Sequence, residues 1–204
     1  MLPAEFSHIS LFSSDPGQEK EWHVLRATYN RELKAKVELE ERQFEVYVPM
    51  IYQSKMVQSK FKAGKKRLKL VRQPLPNLVF VHADRAEAET IVKGASRIPY
   101  LRYYYNHLES REPGSERPVT VSNREMQQFM RIADVDDEDV KILNEGDCRY
   151  KDNQLVRITQ GSFAGVTGRL VRAKGEQRVV VSLNGMFLIA TAYVPTAYLE
   201  PVGR

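Results

Sequence analysis

The sequence predicts an α+β fold in two parts: a ferredoxin-like split βαβ sandwich, then a small all-β barrel. Three observations carry this. Between residues 22 and 106 the elements read strand, helix, strand, strand, helix, strand, the order of a split βαβ sandwich. Five acids in six residues, "DVDDED" at 134–139, then interrupt the chain; such a run repels itself and packs poorly. After about residue 151 only short strand-forming runs follow, separated by turn residues.

The first strand is "WHVLRAT", residues 22–28, where Trp22, Val24 and the stem of Arg26 alternate with His23 and Leu25. Asn30 is placed to cap a helix reaching about Arg42, with Leu33 and Val37 on one of its faces. "FEVYVPMI", residues 44–51, alternates as a second strand, and "NLVFV", residues 77–81, is a short apolar run suited to a buried third. Residues 84–93 have helical composition and end at Gly94. The aromatic "YLRYYYN", residues 100–106, reads as the fourth strand. "SNRE", residues 122–125, is a capping box opening a third helix. Met126, Phe129 and Met130 line that helix at core-packing spacing.

The acidic run marks the end of the first domain. The expected division is a tail at 1–19, a first domain at 20–132, a linker at 133–150 and a second domain at 151–204. Beyond the linker, strands are expected at 155–159, 167–173, 177–183 and 186–194, with "LEPV" closing the set. Asn184-Gly185 between two apolar runs signals a type I′ hairpin, which needs positive φ at both central residues. Val179, Val181 and Leu183 share one face, the barrel interior. In "ITQGSFAGVTGRLVR", residues 158–172, Gly161 permits a turn that a side chain would hinder. Phe163 anchors the turn, and Gly165 and Gly168 allow a bend and a close approach to a neighbouring strand.

The totals bound the function. The chain has 204 residues, enough for one domain or two small ones, and 42% are hydrophobic, enough for a packed core. A formal charge of +5 suits a nucleic-acid or polymerase neighbourhood without demanding one. The single cysteine, Cys148, leaves no internal disulfide and suits a reducing cytosol. The N-terminal stretch has neither a basic region nor a long apolar run, and no segment approaches about 18 apolar residues, so no membrane span is expected. His8, His23, His82 and His107 are scattered without ligand spacing, and no serine or aspartate sits in a nucleophile motif. No metal, cofactor or enzymatic activity is therefore expected. Residues 54–72 hold eight Lys/Arg and no acid, which reads either as a solvated hairpin tip or as a phosphate-attracting loop.

"LVRITQGSFAGVTGRLVR" resembles a KOW motif, the signature of SH3-like barrels in NusG-type transcription factors and in some ribosomal proteins. "WHVLRATYNRELKAKVELEERQFEVYVPMI" resembles the opening of the NusG N-terminal domain. "PLPNLVFV", "IPYLRYYYN" and "PVTVSNREMQQFM" follow in the places where that family carries its related stretches. The resemblance covers about residues 20–202, and is greatest to the UpxY- and RfaH-type antiterminators, the former serving capsular polysaccharide operons. It implies a monomeric, cytoplasmic, non-enzymatic factor that binds the clamp helices of the RNA polymerase large subunit and suppresses pausing or termination. By motif position the polymerase contact falls on Tyr29, Leu75, Pro76, Leu78 and Phe80, with the run Tyr103–Tyr105 alongside. It places Lys62, Lys65, Lys66 and Arg67 near upstream or non-template DNA as phosphate contacts. It assigns the KOW domain, marked by Gly161, Phe163, Gly165 and Gly168, to recruiting a ribosomal protein or a termination factor. RfaH hides its polymerase site under a helical C-terminal domain; the valine-dense, glycine-punctuated text here favours strands instead. The alternative is a ribosome- or RNA-binding KOW protein acting in translation, and a third is an enzyme.

Overall fold

The structure is a computed structural model that describes residues 19–58, 66–105, 117–143, 149–173 and 175–203. Residues 1–18 of the expected tail, His8 among them, and Lys62, Lys65, His107 and Cys148 lie outside these residues. The fold is mixed α+β, mostly strands with few helices.

Its first part is an antiparallel sheet. Strand β1 (Glu21–Ala27) lies at its centre, with β5 (Val79–Ala83) on one side and both β6 (Leu101–Tyr103) and β7 (Thr120–Val121) on the other. β2 (Glu45–Tyr47) pairs outside β5. Between β2 and β5 the chain runs out into a separate two-stranded ribbon, β3 (Met50–Gln58) and β4 (Lys66–Pro74). The sequence reads 44–51 as one strand; the structure breaks it at Val48–Pro49. Proline has no N–H to give a ladder, and there the chain leaves the sheet.

Alternation sorts this sheet into two layers. Leu25, Ala27, Val79 and Val81 face helices α1 (Glu32–Glu41) and α2 (Arg85–Val92), meeting Ala35, Leu39, Ala88 and Ile91. Trp22, Val24, Leu78 and Phe80 face the other way, onto α3 (Asn123–Ala133). Both α2 and α3 begin with reciprocal capping boxes, Asp84 with Glu87 and Ser122 with Glu125. The start of α1 departs from expectation. Asn30 takes φ +53, next to Tyr29 at φ +63, and supplies no cap. A capping side chain needs an extended backbone at its own residue, and this one is left-handed. Leu33 and Val37 are half exposed rather than core, because Ala35 and Leu39 hold the buried face.

The second part is a six-stranded antiparallel sheet in the order β13-β9-β10-β11-β12-β8. These strands are Leu199–Pro201, Arg149–Ile158, Thr167–Ala173, Glu176–Leu183, Phe187–Ala190 and Lys141–Leu143 respectively. Asn184 and Gly185 take φ +43 and +68, and the Met186 N–H donates to the Leu183 carbonyl at 2.9 Å to close the turn. The strand expected at 186–194 stops at Ala190, where the Thr191 hydroxyl instead accepts the Val179 N–H at 3.1 Å.

The stretch read as linker is structured through most of its described length. Val140 is buried, and β8 adds to the edge of the second sheet. The acidic run does not float free, because donors from both parts meet it. The Tyr47 hydroxyl donates to Asp134 at 2.8 Å, the Tyr52 hydroxyl to Asp136 at 2.9 Å, and Arg72 pairs with Asp136 at 3.0 Å. Burial, then the Asp134 bond, drives the Tyr47 hydroxyl well above the usual phenol value. Buried Arg178 donates to the Asp139 carbonyl at 2.6 Å and the Thr191 carbonyl at 2.8 Å.

The two parts share one apolar cluster. α3 lies between them, and Met126, Phe129 and Ile132 join Trp22, Val24 and Phe80 of the first sheet to Val156, Val166, Val181 and Ile189 of the second. Polar clamps flank the seam. Thr167 N–H donates to the Gln128 side chain at 2.7 Å, and the Asn184 amide donates to the Thr120 carbonyl at 2.7 Å.

Candidate functional site

A cleft of about 390 Å³ opens where the segment before β5 meets the α3-facing side of the sheet. The turn that forms it is clamped at both ends. Leu75 N–H donates to the Pro49 carbonyl at 2.8 Å. Asn77, at φ +61, donates its N–H to the carboxylate of Glu32, which is buried in the first turn of α1. Asparagine tolerates this left-handed conformation better than other side chains. Leu75 is half-buried, Pro76 exposed, and Leu78 buried. Arg26, Tyr104 and Ile142 complete the walls. Leu75, Pro76, Leu78 and Ile142 give the lining its apolar part, and Arg26, Asn77 and Tyr104 its polar part, with no carboxylate, a surface for gripping side chains rather than for bond chemistry.

Of the residues assigned by sequence to this contact, Leu75, Pro76 and Leu78 come together here; the other two do not. Phe80 is fully buried, its ring 6.4 Å from Tyr47 and 5.7 Å from Phe129. It shares the face of Leu78, as alternation requires, but α3 covers it. Tyr29 is 83% exposed at the turn between β1 and α1, under the Arg31 guanidinium at 5.6 Å, and is no part of the cleft. The run Tyr103–Tyr105 is split by alternation. Tyr104 reaches the cleft, while Tyr103 and Tyr105 point to the α2 side and meet edge-on at 6.3 Å. Arg26 escaped the sequence reading although period-two alternation was available to find it. Ile142 gave no local signal.

The ribbon β3–β4 carries the second candidate site. Lys66 and Arg67 lie at the start of β4, paired with Gln58 and Val57. Lys55 stands directly opposite Lys69, a like-charge cross-strand pair that is unfavourable by itself. Met56 opposes Leu68, and both are exposed, as is Leu70. At its base the ribbon is tied down by the bonds of Tyr52 and Arg72 to the acidic segment.

In the glycine-rich connection, Gly161 and Gly165 take φ +80 and +85, and Phe163 is buried beneath the turn. Gly168 is extended but pressed against β11, where an added Cβ would stand 2.5 Å from the Val180 carbonyl oxygen.

Among the described residues the buried polar or charged side chains are His23, Glu32, Arg178 and Thr191. His23, 7% exposed, has an Nδ1 with no partner among the described residues. Burial holds its imidazole below the ordinary value of 6.5, against opposing pulls from the Ala83 backbone, Glu21 and Asp84. The unfolded chain therefore takes up a proton that the folded chain refuses. Below about pH 6.5 stability should rise with pH, then flatten above it. Denaturant titrations from pH 5 to 8 check this, and His23→Phe should flatten the histidine part of the slope.

Residues 20–130 match the family described as "Transcription termination factor nusG". No curated protein matches. Among solved structures, the chain is similar to one described as "Crystal Structure of MjSpt4:Spt5 complex conformation B", at 16% identity and a TM-score of 0.26, over 90% of this chain and 97% of that one. A likeness at that level carries no argument.

Proposed function

The chain belongs to the NusG family, and from that premise we propose a transcription elongation and antitermination factor that acts by binding RNA polymerase, without catalysis of its own. The observation that carries the reading is the family match over residues 20–130, which spans the cleft at Leu75–Leu78 apart from Ile142. An apolar cleft of this kind accepts side chains of a helical partner, and the clamp helices of the polymerase large subunit are the proposed occupant. The first part is read as the ferredoxin-like sandwich of the family: the sheet order β2-β5-β1-β6 supports this. The second is read as an SH3-like KOW barrel, bearing Gly161, Phe163, Gly165 and Gly168, whose partner is a ribosomal protein or a termination factor. A cytoplasmic monomer serving polysaccharide-type operons, in the manner of UpxY and RfaH relatives, completes the proposal.

Transcription in vitro with the cognate polymerase tests it. Added protein should reduce pausing or increase read-through, and Leu75→Asp should abolish the effect while leaving the fold intact, since Leu75 is only half-buried. No change on any template, the chain's own operon leader included, would sink the reading.

The basic ribbon is proposed to lie along upstream or non-template DNA through Lys62, Lys65, Lys66 and Arg67. Such binding is sequence-independent, and each phosphate contact adds about 0.9 to the slope of log affinity against log salt for duplex DNA. Removing Lys66 and Arg67 together should lower that slope by roughly 2 in fluorescence anisotropy titrations across a salt series; an unchanged slope removes the assignment.

A further inference from the structure

On the opposite side of the sheet from α3, a second cavity of about 700 Å³ opens beside α2, at the end of β1. Its volume falls in the range of small-molecule sites. Three features mark it as more than a surface groove. First, His23 lines it, and its buried Nδ1 has no partner among the described residues. An unmet buried polar atom is costly, and such atoms are satisfied in nearly all folded proteins. Second, two exposed guanidinium side chains line the same cavity from different elements, Arg85 at the start of α2 and Arg117 before β7. Guanidinium forks match phosphate oxygens in geometry as well as in charge. Third, the lining includes the half-buried ring of Tyr105, set edge-on to Tyr103. Lys93 is already engaged there by Glu89 at 3.8 Å and by the Tyr103 ring at 5.7 Å. Glu21 and Glu89 also line the cavity, so its three cations face two carboxylates; with Lys93 held by Glu89, the two arginines are the cations set to receive an anion.

We propose that this cavity binds a nucleoside phosphate, with phosphate on Arg85 and Arg117, the base against Tyr105, and a sugar hydroxyl on His23 Nδ1. A hydroxyl is both donor and acceptor, so it satisfies Nδ1 in either tautomer. The cavity and the Leu75–Leu78 cleft lie on opposite faces of the sheet, so the ligand adds a binding function distinct from the partner contact. The nucleoside phosphate comes either free or as the 5′ end of a strand, and the two sources separate by experiment.

Isothermal titration of the full chain with AMP, GMP, CMP and UMP, with inorganic phosphate, and with a 5′-phosphorylated hexanucleotide tests the site. At least one nucleotide or the hexanucleotide should bind with Kd below about 1 mM. Arg117→Ala and Arg85→Ala should each weaken binding roughly tenfold, and both exposed positions leave the core untouched. His23→Phe keeps the buried ring and should also weaken binding. Tighter binding of the hexanucleotide assigns the site to strand ends; tighter binding of the mononucleotide assigns it to a free ligand. The proposal is overturned if neither binds below about 1 mM, if inorganic phosphate binds as tightly as the best nucleotide, or if the arginine variants retain full affinity.

Discussion

Phe129→Ala is expected to destabilise the protein by about 3–5 kcal/mol, the usual cost of emptying a fully buried phenylalanine site. In a chain of this size that lowers Tm by roughly 10 °C. Phe129 is fully buried, with Tyr47 at 6.2 Å edge-on and Phe80 at 5.7 Å, inside a cluster that also holds strands of the second sheet. The effect should therefore not stay local. Calorimetry should show both sheets melting earlier and together. Leu33→Ala, half exposed on α1, should change stability by less than about 0.5 kcal/mol and serves as the control. A Phe129→Ala loss below about 1 kcal/mol, or an unshifted transition for the second sheet, would show that α3 does not join the two parts.

The second large effect is expected at Gly168. Its added Cβ would meet the Val180 carbonyl oxygen at 2.5 Å and the Val179 side chain at 2.9 Å. The first of these is backbone, held in the β10–β11 ladder where Arg169 pairs with Val180, so it has little room to yield. Gly168→Ala should cost about 3 kcal/mol, the upper part of the range for overpacking. Gly175 provides the comparison. It takes φ +87 with nothing within 4 Å of an added Cβ, so Gly175→Ala carries only the left-handed backbone penalty, about 1–2 kcal/mol. Urea titrations of the two variants check the ranking; equal losses would mean that φ, and not crowding, governs these glycines.

Much of this was legible in the sequence because it is local. The capping box at Ser122 is fixed by residues three apart. The Asn184-Gly185 turn is fixed by two residues, and the opposed faces of Leu78/Phe80 and Val79/Val81 by period-two alternation. What stayed hidden depends on partners distant in the chain. The apolar stripe of α3 announces that something covers it, but not that two sheets do, nor that Phe80 is thereby withdrawn from the surface. The acidic run reads as solvated until Tyr47, Tyr52 and Arg72 are brought beside it from residues more than sixty positions earlier. β8 is three residues long and gains its identity only by pairing with β12. In the cleft, Leu75, Pro76 and Leu78 could be read by motif position, whereas Ile142 enters from the far side of the acidic run.

The position of α3 also sets a timetable. The helix ends at Ala133 and the last strand ends at Pro201, so on the order of 70 residues are still to be joined when α3 has been made. At ribosomal rates of about 5–20 residues per second that takes roughly 3–14 s. For that interval Met126, Phe129 and Ile132 rest on the first sheet alone, with the other half of their cover not yet synthesised. The nascent first half is thus a transient species with an apolar flank, and the seconds before the later strands emerge are when this protein is most exposed to chaperones and to aggregation.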